Sequence, residues 1–231
     1  MRVIQALSFD ADGTLWNFDA TMRRSLARSI DFLSERDERL TALTVAELVD
    51  VRQQIARRPS PVVQSIEELR FFAFEESLRR FGCTDADLVS EVTTFYLSER
   101  FADPILFDDA RPALEFLATR FELALVSNGN SDPERCGLAG IFAITLFADQ
   151  LRIAKPDPRI YAQLLDAIGH PGAEVVHVGD SLVNDVEAAA RAGLATVWLN
   201  RFGQAPTAVR IQPDATIQTL SELPALMENW T

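Results

Sequence analysis

The sequence predicts an α/β protein, a doubly wound parallel sheet interrupted by an all-helical insertion, and three observations carry that prediction. Beyond about residue 104, short apolar runs rich in branched residues alternate with helical patterns. A run of the same strand type, Val3 to Phe9, stands by itself near the N-terminus. Between the two, residues 17–104 show helical periodicity only.

Taken in order, Val3 to Phe9 is short, mostly apolar and reads as a buried strand. Ala20 to Ser34, Val45 to Arg57, Val62 to Phe81 and Asp85 to Arg100 read as four helices, with breaks at Thr41 to Thr44, Pro59-Ser60-Pro61 and Gly82-Cys83-Thr84. Thr44 and Glu47 stand at capping-box spacing before the second. Alternation resumes after Asp103-Pro104. A helix is predicted at Ala110 to Arg120, a strand at Glu122 to Ser127, a short helix at Pro133 to Leu138 and a strand at Ile144 to Ala148. A helix at Pro158 to Ile168, a strand at Glu174 to Gly179, a helix at Asp185 to Ala192 and a strand at Thr196 to Asn200 follow. The first strand belongs with these later ones, so residues 1–16 and 105–231 make one Rossmann-like core and 17–104 is an insertion. The crossings near Trp16 and Pro104 are hinge candidates.

Composition narrows the function. At 231 residues, 48% apolar and 24% charged, the chain can build a sizeable core. Its net charge of −12 argues against a general nucleic-acid or anionic-membrane surface. No leader pattern and no apolar run of spanning length is present, so a cytoplasmic protein is expected. Cys83 and Cys136 have neither metal nor redox spacing and are expected as ordinary thiols. The 22 basic residues include one lysine, Lys155; a compact charge on a flexible stem does work that a planar guanidinium does badly.

Chemistry concentrates at Phe9-Asp10-Ala11-Asp12-Gly13-Thr14-Leu15-Trp16, where the first strand ends in two acids one residue apart. On a strand-like backbone both leave on one face, and the C-terminal edge of an open α/β sheet is where ligands bind. Two crowded carboxylates call for a cation, a shared proton or solvent. Three further segments follow at strand or loop ends: Ser127-Asn128-Gly129, Lys155-Pro156-Asp157-Pro158 and Gly179-Asp180-Ser181 with Asp185. Each alone reads equally as a turn or a helix cap. Together, on one edge, they read as a site whose oxygen donors select a hard cation such as Mg²⁺.

In that order the four segments resemble the four motifs of the haloacid dehalogenase superfamily of phosphohydrolases, and the insertion is similar to its C1-type helical cap. The resemblance implies Asp10 as nucleophile and Asp12 as general acid and base. It implies Ser127, Asn128 and Lys155 as phosphate-binding groups. Mg²⁺ would be held by Asp10, the Asp12 backbone carbonyl and Asp180, with Asp185 in or behind that set. The implied substrate is a small phosphorylated metabolite.

Within the superfamily, dehalogenases lack an acid at the Asp12 position, phosphonatases use a cap lysine that residues 17–104 do not contain, and β-phosphoglucomutase-like mutases use a histidine soon after the first motif. His170 and His177 are both far from it, and His177, on a buried strand, is expected to pack. Hydrolysis is the reading that remains. The alternatives are a binding or regulatory module without turnover and, more distantly, a 2-haloacid dehalogenase. Arg52, Arg57, Arg58, Arg70, Arg79 and Arg80 read as a solvated face, and Phe71, Phe72 and Phe74 as core. Trp16 reads as pocket lining, hinge or plain packing. Oligomeric state is not legible.

Overall fold

The computed structural model describes residues 3–57, 66–102, 104–206 and 208–230. Among them six strands, β1 (Ala6–Phe9), β2 (Glu122–Ser127), β3 (Ile144–Phe147), β4 (Val175–Gly179), β5 (Ala195–Leu199) and β6 (Ala215–Ile217), form one parallel sheet ordered β3-β2-β1-β4-β5-β6. The helices are α1 (Phe18–Ser34), α2 (Val45–Ala56), α3 (Ile66–Arg80), α4 (Ala86–Ala102), α5 (Ala110–Leu117), α6 (Ala148–Leu151), α7 (Arg159–Ile168), α8 (Ala188–Arg191) and α9 (Leu223–Glu228). The chain divides into two compact units, Met1–Phe18 with Ile105–Thr231, and Asp19–Pro104.

Period-two alternation buries both faces of the sheet, as a parallel sheet requires. Leu7, Phe9, Leu123, Leu125, Val176 and Val178 pack against Leu114 and Leu117 of α5 and Leu223 and Met227 of α9. Ala6, Ala124, Val126 and Val175 face Ile160, Tyr161 and Leu164 of α7 and Ala188 and Ala189 of α8. β1 lies at the centre, with Phe9 opposite Leu125 on one side and Val178 on the other. The chain continues to β2 on one flank and to β4 on the other, so the switch point falls at the end of β1. In the helical unit, Thr44 Oγ1 accepts from the Glu47 N–H and Glu47 Oε2 accepts from the Thr44 N–H, which closes the start of α2 at both ends of the box. Phe74 of α3 and Tyr96 of α4 meet edge to face at 5.6 Å.

Several elements differ from the sequence prediction for identifiable reasons. Residues 133–138 form hydrogen-bonded turns, because Gly137 at φ +76° closes the segment after one turn. The helix expected from Asp185 begins instead with a π turn at Leu182–Glu187, in which the Val186 N–H reaches back five residues to the Ser181 carbonyl. A 3₁₀ turn at Glu38–Ala42, β6 and α9 were not anticipated. Arg70 is buried rather than solvated, lining a small cavity with Arg52, Met22, Phe74 and Tyr96. Arg79 and Arg80 are exposed and paired with Glu76. The predicted break at Pro59-Ser60-Pro61, Arg58 and the predicted helix start at Val62 lie outside the described residues. Among the described residues no helix is long and apolar enough to cross a membrane.

Candidate active site

The sheet's C-terminal edge brings the four sequence segments together. Asp10, Asp12, Ser127, Asn128, Lys155, Asp180 and Asp185 all line one cleft of about 170 Å³. Asp10 follows β1 directly, Ser127 ends β2, Asp180 follows β4, and Asp185 projects from the π turn. Two glycines allow this crowding. Gly13 has φ +90°, and a Cβ there would stand 2.3 Å from Asp180 Oδ2; a Cβ at Gly179 would stand 2.3 Å from Asp185 Cγ.

Lys155 is the hub. Its ammonium donates to Asp10 Oδ1 at 2.5 Å, Asp185 Oδ1 at 2.7 Å and the Val126 carbonyl at 3.0 Å, which uses all three of its protons. Asp10 also accepts from the Thr14 hydroxyl at 3.1 Å through Oδ2. Asp185 Oδ2 accepts from the Ser181 N–H at 2.9 Å, so both oxygens of Asp185 are engaged. Asn128, expected from the sequence as a phosphate contact, lines the cleft and also holds the loop that carries Lys155. Its amide donates to the Lys155 carbonyl at 2.9 Å and accepts from the Lys155 N–H at 2.8 Å, because the two loops lie side by side. That pair joins the two loops and takes one of the two amide protons of Asn128.

Electrostatics follow from three buried acids around one ammonium. Burial pushes the Asp10 carboxyl up to about 8, against the pull of Lys155 and with the repulsion of Asp185 and Asp180. Burial and Asp185 push Asp180 up to about 7. Burial opposes the charge on Asp185 too, yet Lys155 and His177 hold it well below the usual carboxylate range. Burial likewise works against the Lys155 charge, and Asp10 and Asp185 carry it above the ordinary lysine value.

The donor set fits a hard divalent cation. Asp10, Asp180 and Asp185 each offer an oxygen within 4.8 Å of the others. With all three ionised, one ammonium leaves an excess of two negative charges. Carboxylate oxygens without thiolate or free imidazole suit Mg²⁺. The nearest imidazole, His177, turns Nδ1 to Ser8 Oγ at 2.8 Å and Nε2 to Tyr161 Oη at 3.1 Å. The Asp12 carboxylate is outside the acidic triad. Its Oδ1 accepts from the Trp16 indole N–H at 2.6 Å, and its Oδ2 would stand 2.5 Å from a Cβ at Gly129.

The sequence leaves Trp16 between three roles and gives no sign of the Thr14 bond to Asp10 or of Arg201. The Arg201 guanidinium grips Asp109 through two bonds of 2.8 Å, donates to the Thr14 carbonyl at 2.8 Å and lies over the Phe107 ring. No pattern in the sequence links residues so far apart.

Residues 4–193 match the family model described as haloacid dehalogenase-like hydrolase. The chain belongs to that family. Among relatives of the haloacid dehalogenase-like chain, it is 27% identical to mouse (Mus musculus) N-acylneuraminate-9-phosphatase over 98% of this chain and 94% of that protein. It is 25% identical to the 5-amino-6-(5-phospho-D-ribitylamino)uracil phosphatase of Escherichia coli, over 85% of this chain and 83% of that protein. Its fold superposes with a TM-score of 0.80 on a 2-haloacid dehalogenase from Pseudomonas syringae, at 33% identity over 99% of this chain and 100% of the other.

Proposed function

We propose that the chain is a Mg²⁺-dependent phosphatase that hydrolyses phosphate monoesters of small metabolites through an aspartyl phosphate on Asp10. The observation that carries this reading is the second acid: Asp12 stands beside the Lys155 and triad cluster with its own hydrogen-bond support, so the site holds both a nucleophile and a separate proton carrier. The likeness to two phosphatases over most of the chain supports the reaction class.

In the first step an Asp10 carboxylate oxygen attacks phosphorus while the P–O ester bond breaks. The electron pair goes to the leaving oxygen, which takes the proton of the Asp12 carboxyl and departs as the alcohol. In the second step Asp12, now a carboxylate, takes a proton from water as the water oxygen attacks phosphorus. Asp10 is restored and inorganic phosphate leaves. Lys155 neutralises phosphoryl oxygens and the Ser127 hydroxyl donates to them. Asp10, Asp180 and the Asp12 carbonyl are the residues to hold Mg²⁺, with Asp185 contributing charge through Lys155. The ion's contribution when bound is to screen the repulsion between carboxylate and phosphate and to polarise the phosphoryl group. The insertion is proposed as the family's C1-type cap from its place in the chain after the first motif.

The likeness to a 2-haloacid dehalogenase supports a second reading, in which Asp10 displaces halide from carbon. That chemistry asks for no proton on the leaving group and no cation, and leaves Asp12 and the acidic triad without work. Hydrolysis of p-nitrophenyl phosphate that requires Mg²⁺, is abolished by EDTA and is lost in Asp10→Asn supports the phosphatase. Halide release from 2-chloropropionate without phosphate release supports the dehalogenase. Neither activity, in a folded protein, supports a silent binding module.

A further inference from the structure

The face of the sheet that meets α7 and α8 carries polar side chains that the reaction steps above do not use. Ser8 of β1 and His177 of β4 stand opposite one another in the parallel register, two residues after the apolar Ala6 and Val175 on the same face. Tyr161 of α7 lies against that imidazole, edge to face at 4.9 Å. We propose that His177 and Tyr161 are positioning residues for Asp185, and that through Asp185 they fix the Lys155 ammonium that meets the phosphoryl group. This inference rests on the phosphatase reading and deepens it.

Ser8, Tyr161 and His177 are all closed to solvent, and buried polar groups are held by their partners. The direction of each bond follows from the protons available. The Tyr161 hydroxyl donates its single proton to the Asn184 carbonyl at 2.9 Å. His177 Nε2 stands 3.1 Å from that hydroxyl oxygen and 3.4 Å from Asp185 Oδ1. An ionised Asp185 only accepts, and the proton of Tyr161 is already placed, so Nε2 bears a hydrogen and donates to both. Nδ1 meets the Ser8 hydroxyl at 2.8 Å, which fixes the ring at its other end.

These bonds converge on the π turn, in which Asn184 and Asp185 are consecutive. Tyr161 holds the peptide just before Asp185, His177 reaches the carboxylate, and the Ser181 N–H holds Oδ2 at 2.9 Å. Gly179 leaves room for that carboxylate, since a Cβ there would stand 2.3 Å from Asp185 Cγ. Oδ1 is thereby presented to Lys155 Nζ at 2.7 Å. The lysine stem is flexible, so the ammonium rests where its acceptors are held. Asp10 and the Val126 carbonyl belong to β1 and β2 or follow them directly, whereas Asp185 is placed by a turn that needs its own support. A loosened Asp185 lets the ammonium leave the position that serves the phosphoryl group.

The test uses the full chain with Mg²⁺. It reads kcat/KM for p-nitrophenyl phosphate and, without turnover, the dissociation constant of inorganic phosphate by calorimetry, both referred to folded protein. Tyr161→Phe keeps the ring and removes the hydroxyl. His177→Met removes the donor, and His177→Gln returns an N–H near the place of Nε2. Tyr161→Phe and His177→Met are each expected to lose about tenfold in kcat/KM and in phosphate affinity, and His177→Gln about threefold or less. In an Asp185→Asn background Tyr161→Phe is expected to have no further effect, because the residue it acts through is already altered. A purely structural role lowers Tm and leaves both quantities intact in the folded protein. That result, or a Tyr161→Phe loss undiminished in Asp185→Asn, would overturn the proposal. If His177→Met does not fold, Tyr161→Phe and its double-mutant cycle decide. If the wild-type chain binds phosphate and hydrolyses no ester, the phosphatase reading fails and phosphate affinity decides the positioning by the same cycle. If it binds no phosphate either, both fail.

Discussion

Lys155 Nζ stands 2.7 Å from Asp185 Oδ1, with both side chains almost closed to solvent, and the same nitrogen stands 2.5 Å from Asp10. The lone lysine thus joins the acid at the end of β1 to the acid of the π turn. Lys155→Met leaves two buried carboxylates unpaired and is expected to destabilise the Mg²⁺-free protein by about 3–5 kcal/mol in urea unfolding. Turnover is expected to fall by about a thousandfold, since a charged donor to the phosphoryl oxygens is lost. Lys155→Arg keeps the charge and is expected to lose turnover as well, because the larger planar head has no room where Lys155 is buried.

Mg²⁺ binding is expected to strengthen with pH. Asp10 and Asp180 are raised from 3.8 to about 8 and about 7, so the cation-free folded protein keeps protons that the unfolded chain has already lost. The contribution of those protons to stability is complete below about pH 4 and fades as pH rises through 7 to 8. A cation must displace the same protons. The rise in Tm on adding Mg²⁺ is therefore expected to be small at pH 6 and large at pH 8, read by thermal unfolding at both. An equal shift at the two would count against the triad as the binding site.

Gly13→Ala tests the turn that follows the acids. Its φ of +90° strains any side chain, and the added methyl meets Asp180 Oδ2 at 2.3 Å. The expected cost is about 1–3 kcal/mol of stability. Displacement of Asp180 is expected to weaken the Mg²⁺-induced rise in Tm, which a purely local strain would leave intact.

Arg201→Ala removes the clasp on Asp109 and on the Thr14 carbonyl. Both partners are mostly buried, and the loss is expected to be about 3 kcal/mol in denaturant unfolding. Thr14 also donates to Asp10, so a fall in kcat beyond the loss of folded protein is expected.

What the sequence revealed and what it hid divide along physical lines. Strand alternation places Asp10, Ser127 and Asp180 on one edge, because every parallel strand ends at the same side of the sheet. The order of strands about β1 needs pairing partners that a single sequence does not state. β6 has three residues and follows Asp214, too short for a period to show. The turn at 133–138 depends on the left-handed Gly137, and the π turn on bonds made by Asp185 and Ser181. Nothing in the sequence indicates that the Asn128 amide bonds the Lys155 backbone, a contact across 27 residues. Trp16 gave no signal of its bond to Asp12, since a buried tryptophan is ordinarily core.

The central claim is the covalent step on Asp10. The chain is mixed with an aryl phosphate and Mg²⁺, quenched in acid within a turnover, digested and mapped by mass spectrometry. A phosphoryl adduct on Asp10, absent from Asp10→Asn along with all turnover, is the predicted result. Phosphate release without an adduct on Asp10, or an Asp10→Asn variant that still turns over, would contradict it.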